Sequence, residues 1–236
     1  MMPIDFSFDY EYIKKYGNVT GFDEAGRGPL AGPVFSACVS LDESTYELVK
    51  KGLPFLDDSK KLTKEKRKRV HDFALDNKIP FRTGISTEEE IDDLNILNAT
   101  SLSMERAYSS LGINTGPALV DGKFLRLFFP NIQIVRGDCI SASIAFASNI
   151  AKHLRDKYMK GISESFPEYY FEKNKGYGTK EHIERIIQFG PIPVHRFTFN
   201  PVCKFLNPVL IEKWEEVGLI SKKRIISLQK KEMSKK

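Results

Sequence analysis

Short apolar runs separated by polar turns occupy much of the chain up to residue 135, and this pattern predicts β-strands. The runs are rich in β-branched and aromatic residues and are bounded by glycine, proline or polar residues. Five strands are predicted, at 18–23, 33–41, 79–86, 118–122 and 132–135.

A second pattern, in which apolar residues recur every three or four positions, predicts helices. It is clearest at 139–158, and Thr63 and Thr179 are placed to cap the helices that follow them. The other helical segments are predicted at 43–52 (a short helix or a loop), 64–77, 87–111 with a break near 95–98, 179–189, 203–217 and 221–235. The last has few apolar residues and is expected to be peripheral. Residues 1–17 are expected to be irregular or a short helix, 160–178 to be rich in loops, and 195–202 to be extended.

The order of these elements predicts an α/β fold. Strands joined by a hairpin come first, and strands separated by helical crossovers follow, which gives a mixed sheet flanked by helices. We therefore expect one domain over 1–202 and a C-terminal helical extension with a basic tail over 203–236.

Composition adds few constraints. The 236 residues are 41% hydrophobic and 28% charged, as in ordinary globular proteins. No apolar run is long enough for a transmembrane helix, and the acidic start of the chain does not resemble a signal peptide. The three cysteines are far apart and lack a CxxC pair, so we expect neither a disulfide framework nor a zinc site, and we expect a cytoplasmic location.

The net charge of +5 is unevenly distributed. Residues 218–236 hold seven basic residues against Glu232 alone, and 60–69 hold seven against Glu65 alone. Such clusters suit a polyanionic partner. Taken alone, however, they are more often solvated helix faces or frayed tails.

The segment 21–34, between the first two strands, has unusual chemistry. Asp23 and Glu24 are adjacent carboxylates, and Gly26-Arg27-Gly28 follows them. Adjacent acids repel unless a cation or solvent offsets the charge, and the glycines let a ligand approach the backbone while arginine pairs with phosphate. The segment therefore indicates a metal beside a phosphate, or else an exposed hairpin turn with surface acids.

Three predicted strands end in or next to acids, namely Asp23-Glu24, Asp121 and Asp138. Strand ends of this kind can converge on one edge of the sheet, where four carboxylates would suit Mg²⁺ or Mn²⁺. Two such ions about 4 Å apart activate water for phosphodiester hydrolysis. Because neighbouring strand residues point to opposite faces, Asp23 and Glu24 can share this site only if the chain bends there. Each acid taken singly is more often a surface or capping residue.

The motif Asp-Glu-Ala-Gly-Arg-Gly-Pro-x-Ala-Gly-Pro-Val at 23–34 resembles the opening signature of type 2 ribonucleases H, the ribonuclease HII family. Further segments resemble that family in the same order, so that the resemblance extends over about 18–202. They are Asp58-Ser59-Lys60-Lys61-Leu62, Val120-Asp121-Gly122, Gly137-Asp138 with the helix after it, Gly176-Tyr177-Gly178-Thr179-Lys180-x-His182, Gly190-Pro191 and His195-Arg196.

The resemblance implies a ribonuclease H-like fold and a set of site residues. Asp23, Glu24, Asp121 and Asp138 would be the catalytic acids that bind Mg²⁺ or Mn²⁺. Gly26, Arg27 and Gly28 would contact the ribonucleotide and its 2′-OH, and Tyr177 would stack on the adjacent sugar. Lys60, Thr179, Lys180 and His182 are weaker candidates for phosphate contacts, and His195 and Arg196 would either do the same or brace the sheet edge.

The resemblance also implies an activity. It is metal-dependent hydrolysis of the RNA strand of RNA–DNA hybrids, with incision 5′ to single ribonucleotides in duplex DNA, leaving 3′-hydroxyl and 5′-phosphate ends. The implied role is removal of ribonucleotides and RNA primers by a monomer with no membrane partner. Type 3 enzymes lack this Gly-Arg-Gly.

Three positions depart from the family pattern, namely Asp57, Arg136 and Asn149, the last expected on an outer helix face. Two alternatives stay open, another nuclease on the same fold, such as a junction resolvase or transposase-like enzyme, and a non-catalytic hybrid-binding protein.

Overall fold

The computed structural model describes residue 4 and residues 6–112 and 116–233. Lys235 and Lys236 of the predicted basic tail lie outside this part of the chain. The predicted sheet is confirmed as a five-stranded mixed sheet in the order β3-β2-β1-β4-β5. The strands are β1 (Asn18–Ala25), β2 (Val34–Asp42), β3 (Phe81–Ser86), β4 (Ala118–Asp121) and β5 (Asn131–Ile134). β1 pairs antiparallel with β2 and parallel with β4, and β4 pairs parallel with β5.

The helices follow the predicted order. They are α1 (Ser7–Tyr16), α2 (Glu43–Gly52), α3 (Lys64–Asp76), α4 (Glu88–Leu94), α5 (Ile96–Leu111), α6 (Ala142–Ser165), α7 (Phe171–Asn174), α8 (Lys180–Phe189), α9 (Pro208–Glu216) and α10 (Lys222–Met233). Within the described ranges, none of them combines the length and the hydropathy that crossing a bilayer requires.

Three sequence predictions are corrected. The segment 160–178 is mostly helical and not rich in loops, because α6 extends to Ser165 and α7 covers Phe171–Asn174. The helix expected at 139–158 is α6, which begins at Ala142 because Gly137–Cys139 form a 3-10 turn after a left-handed residue, Arg136 (φ 59°). The segment 195–202 is not extended, since it consists mainly of turns, with one bridge pairing Ala31 and His195.

The chain divides into two compact units. The first comprises Met1–Ala25, Val34–Ile85 and Thr100–Arg155, and it contains the sheet except for Ser86, the last residue of β3. Successive residues of its strands join different apolar clusters, because strand side chains alternate between faces. Leu119 belongs to the same apolar cluster as Ile144 of α6, whereas Val120 belongs to the cluster that contains Met104 of α5. Both faces of the sheet are therefore covered.

The second unit comprises Gly26–Pro33, Ser86–Ala99 and Asp156–Lys236. Its core contains Leu30, Met159, Phe171 and Phe197. Two distant stretches of the chain, Gly26–Pro33 and Asp156–Lys236, thus contribute to one core. The division at residue 202 predicted from the sequence stays a prediction.

Candidate active site

Asp23 and Glu24 lie near the end of β1, in the first unit. The expected bend between them is absent from the pairing, because β1 stays in register with β2 through Ala25. The chain turns only afterwards, at Gly26 with φ 104°. The backbone N–H of Glu24 donates to Asp23 Oδ1 at 2.7 Å.

Asp121 is the last residue of β4, next to β1 in the sheet. Because the two strands are parallel and Phe22 pairs with Val120, Asp23 and Asp121 follow at the same strand end. Asp121 Oδ1 accepts a 2.7 Å hydrogen bond from the N–H of Gly137. This bond ties Asp121 to the turn that carries Asp138.

The electrostatics of these acids show that they interact. Burial raises the pKa of Asp23 well above its usual range, and the carboxylates of Glu24 and Asp121 raise it further. Burial raises the pKa of Asp121 as well, and Asp138 adds to the effect. The four predicted carboxylates are therefore linked in series by mutual repulsion, which a bound divalent cation would offset.

Lys60 supplies a positive charge at the rim of this cluster. Its Nζ lies 3.5 Å from Asp138 Oδ2 and 3.8 Å from Asp58 Oδ1. Partial burial lowers the pKa of the Lys60 ammonium, but the surrounding carboxylates of Asp58, Asp138 and Asp23 outweigh it, so the pKa is raised. Lys60 stays protonated beside the acids.

Asp58 is a further candidate ligand, which the sequence analysis did not assign to the site. One ligand atom each from Asp58, Asp138 and Cys139 lies within 4.8 Å of the others. Burial and the charge of Asp138 raise the pKa of the Cys139 thiol, and its sulfur is a softer donor than the oxygen ligands that Mg²⁺ and Mn²⁺ prefer. The carboxylates are therefore the better donors. The sequence does contain a signal for it, because Asp58 opens the segment Asp58-Ser59-Lys60-Lys61-Leu62 that resembles the ribonuclease HII family.

The segment around Asp58 is held by α6. Asn149 Nδ2 donates to the carbonyl of Asp57 at 2.9 Å, and Ser148 Oγ donates to Ser59 Oγ at 3.0 Å. Asn149 is fully buried, so its expected place on an outer helix face is wrong. Its amide instead fixes the backbone next to Asp58.

The start of α6 is capped by Asp9 of α1, which sequence reasoning also missed. Asp9 Oδ2 accepts from the N–H of Ser143 at 2.7 Å, and Oδ1 accepts from Ser141 Oγ at 2.7 Å. Asp9 is fully buried, and burial raises the pKa of its carboxyl. This contact fixes the start of α6, four residues after Asp138.

The predicted ribonucleotide contacts belong to the second unit. Arg196 is fully buried, and its guanidinium donates to the carbonyls of Gly26 at 2.5 Å, Arg27 at 2.9 Å and Gly32 at 2.8 Å. Of the two roles left open for Arg196, the structure therefore favours bracing. What it braces is the Gly-Arg-Gly loop.

Gly28 and Tyr177 are neighbours in this unit. A Cβ atom built on Gly28 would lie 3.8 Å from Tyr177 Cε1, and Tyr177 is 42% exposed. The loops that carry them join where the N–H of Leu30 donates to the carbonyl of Gly176 at 2.7 Å. A Cβ on Gly176, where φ is +82°, would lie 2.3 Å from the carbonyl oxygen of Ala31, so the junction requires glycine.

The remaining predicted contacts differ in accessibility. Lys180 is exposed, 4.0 Å from Glu184. Thr179 is the N-cap of α8, and its hydroxyl accepts from the N–H of His182. His182 is fully buried and hydrogen-bonded to Tyr177 and His195, so it is not available for direct contact with a phosphate. Its ring instead braces the backbone of Tyr177.

A family model described as ribonuclease HII matches residues 20–202. The chain belongs to the ribonuclease HII family. Ribonuclease HII of Thermotoga maritima is 42% identical over 216 residues, 92% of this chain and 87% of that protein. Ribonuclease HII of Fusobacterium nucleatum is 49% identical over 197 residues, 80% of this chain and 89% of that protein.

A solved structure agrees with the family. The crystal structure of ribonuclease H2 from Pyrococcus horikoshii superposes with a TM-score of 0.66 at 26% identity, and the match covers 80% of this chain and 96% of that one. The chain has the fold of ribonuclease H2 and is a ribonuclease H, a hydrolase of a family that acts on RNA–DNA hybrids.

Proposed function

We propose that the protein hydrolyses the RNA strand of RNA–DNA hybrids and also incises duplex DNA on the 5′ side of a single ribonucleotide. The products carry 3′-hydroxyl and 5′-phosphate ends, and the role is removal of ribonucleotides and RNA primers. The observation that carries the proposal is the series of interacting carboxylates Asp23, Glu24, Asp121 and Asp138. Such a cluster is costly by itself and suited to phosphodiester chemistry with cations.

Mg²⁺ or Mn²⁺ is the proposed cofactor, because the donors are carboxylate oxygens and these hard cations prefer oxygen ligands. Asp23 and Asp121 would hold the ions, and Glu24 and Asp138 would complete the set. When bound, divalent ions of this kind lower the pKa of water and stabilise charge on phosphate oxygens. Lys60, 3.5 Å from Asp138, adds a cation that attracts the phosphate backbone.

Discrimination between RNA and DNA is assigned to the second unit. The 2′-OH is the group that distinguishes the two at one nucleotide, and backbone groups of Gly26, Arg27 and Gly28 meet it. Gly28 has no side chain to block approach, and the exposed ring of Tyr177 next to it offers a flat surface for the sugar. Contacts to backbone and sugar carry little base information, so cleavage has little sequence preference.

The test is cleavage of an end-labelled DNA duplex that contains one ribonucleotide, with Mg²⁺ or Mn²⁺. An all-DNA duplex of the same sequence and the variant Asp121→Asn are the controls. We expect a single cut 5′ to the ribonucleotide with wild-type protein only. Equal cutting of both duplexes indicates a different nuclease activity on this fold, and metal-independent binding without cleavage indicates a hybrid-binding protein.

A further inference from the structure

The C-terminal helix α10 contains a buried arginine. Arg224 is 2% exposed, although the sequence predicts a peripheral helix here. Its Nε and Nη2 donate to Asp92 Oδ2 at 3.0 and 2.7 Å. Nη1 donates to the carbonyl of Pro193 at 2.7 Å, and Nη2 also donates to that of His195 at 2.6 Å. The guanidinium thus binds α4 and the segment 193–198 together.

Asp92 binds the same segment from α4. It is fully buried, and its Oδ1 accepts from the N–H of Thr198 at 2.9 Å and from Thr198 Oγ1 at 2.7 Å. Oδ2 accepts from the N–H of Phe197 at 3.0 Å. The Arg224 guanidinium also stacks on the Phe197 ring, 3.8 Å from its centroid. Together, Arg224 and Asp92 contact residues 193, 195, 197 and 198.

Arg196 lies in the middle of this clamped segment and extends to the Gly-Arg-Gly loop. Its side chain binds the carbonyls of Gly26, Arg27 and Gly32, and its N–H donates to the carbonyl of Leu30 at 2.8 Å. In a trans peptide the C=O and N–H groups point in opposite directions. Because the carbonyls of Gly26 and Arg27 face Arg196, the N–H groups that follow them face away from it.

We propose that Arg224 and Asp92 are positioning residues that set the preference for RNA over DNA. By fixing the segment 193–198, they hold Arg196 in the place where it orients the loop 26–28. This inference rests on the proposed function, in which that loop meets the 2′-OH. The C-terminal extension lies outside residues 20–202, which the family model matches, and by this inference it contributes to substrate discrimination.

Geometry and charge both explain why arginine is needed. Arg224 makes four hydrogen bonds to three acceptor atoms that lie in different directions. A planar guanidinium with five N–H donors can make all four. A lysine ammonium at this position keeps the charge, but its single nitrogen cannot reach Asp92 Oδ2 and both carbonyls as three separate guanidinium nitrogens do. A displaced loop costs rate because misplacement of about 1 Å reduces turnover by up to about a hundredfold.

The test compares Arg224→Gln, Arg224→Lys and the charge-neutral pair Arg224→Gln with Asp92→Asn. The control is Ser227→Ala, which removes a 2.7 Å hydrogen bond from α10 to Asp93 without touching the segment 193–198. Trp214 is the single tryptophan, and its ring stacks on that of Phe197 with 5.6 Å between the ring centroids. Its fluorescence therefore reports whether the local packing is intact. The readouts are kcat and KM on an RNA–DNA hybrid, and the ratio of affinities for the hybrid and an all-DNA duplex in EDTA.

We expect Arg224→Gln to lower kcat/KM on the hybrid by about tenfold or more and to lower the affinity ratio, with Arg224→Lys intermediate. Ser227→Ala should leave kcat/KM on the hybrid and the affinity ratio near the wild-type values. If Arg224→Gln changes the Trp214 fluorescence, the inference is tested on Arg224→Lys and on the double variant instead. The inference would be overturned if every variant with wild-type Trp214 fluorescence also had the wild-type ratio of affinities for hybrid and all-DNA duplex. A wild-type protein that does not prefer the hybrid would instead refute the proposed function.

Discussion

The Nε2 atoms of His182 and His195 lie 3.2 Å apart in the core of the second unit. Both rings are fully buried. At this distance one nitrogen donates to the other, so the two rings cannot both be protonated without losing this hydrogen bond. Burial, and then the neighbouring His182, lowers the pKa of His195 to about 3, and burial lowers the pKa of His182.

This pair makes stability depend on pH. Each folded-state pKa lies below the usual 6.5, so the unfolded chain binds more protons below that pH and stability falls as the pH drops. From His195 alone we expect the free energy of unfolding to fall by about 2 kcal/mol when the pH is lowered from 7.5 to 5. Urea unfolding followed by Trp214 fluorescence measures it. His195→Gln should flatten the dependence, whereas His71→Gln, in the other unit, should leave it intact. An unchanged slope in His195→Gln contradicts the assignment.

Replacing Asp23 should separate activity from stability. Asp23→Asn removes a buried carboxylate whose pKa is raised by burial, Glu24 and Asp121, so we expect a higher melting temperature in EDTA and loss of cleavage. Added Mn²⁺ should raise the melting temperature of wild type more than that of the variant. Asp42→Ala is a control in which loss of an acid should have the opposite effect on stability. Asp42 caps α2, so its removal should destabilise the protein by about 1 kcal/mol. A lower melting temperature for Asp23→Asn in EDTA would count against repulsion among the acids.

Gly28 allows a test of substrate approach that leaves the fold unchanged. A Cβ there would make only ordinary contact with Tyr177, 3.8 Å away. We therefore expect Gly28→Ala to keep the wild-type melting temperature while weakening hybrid binding relative to all-DNA duplex. Gly176→Ala should instead lower the melting temperature, because its Cβ would collide with the carbonyl of Ala31. Equal hybrid preference in wild type and Gly28→Ala, measured by competition binding, would exclude a 2′-OH contact at this position.

The cap formed by Asp9 should support both stability and catalysis. Asp9→Ala leaves the N–H of Ser143 and two hydroxyls without their acceptor, so we expect a loss of about 2 kcal/mol in chemical denaturation. Cleavage measured well below the unfolding transition should also slow, because the capped turn follows Asp138. Glu11→Ala, in the same helix and exposed, is the matched control and should change neither. Full activity in Asp9→Ala would show that the cap is only structural.

The sequence was sufficient for the features that depend on neighbouring residues. The five strands, the caps of α3 and α8, and the strand-end positions of Asp23 and Asp121 follow local patterns of apolar and polar residues. Those patterns also located Gly26 to Gly28 next to the acids along the chain.

The features that depend on distant partners could not be predicted in this way. Arg224 belongs to a basic cluster by sequence, and its partner Asp92 is 132 positions away. Asp9 and Ser141 are likewise 132 positions apart. A charged residue has the same local pattern whether it is solvated or buried against such a partner. The start of α6 was misplaced for a local reason, because nothing in the apolar spacing revealed the left-handed Arg136.

The long separation between Gly26 and Arg196 has a consequence for biosynthesis. Arg196 leaves the ribosome 170 residues after the glycine whose carbonyl it binds. Domains fold as units during synthesis, so the loop that begins at Gly26 must wait for most of the polypeptide before it gains its support. A nascent chain that already carries Asp23 and Asp121 therefore lacks the support for its Gly-Arg-Gly loop, and a ribosome that stalls before residue 196 releases a chain unable to hold that loop in place.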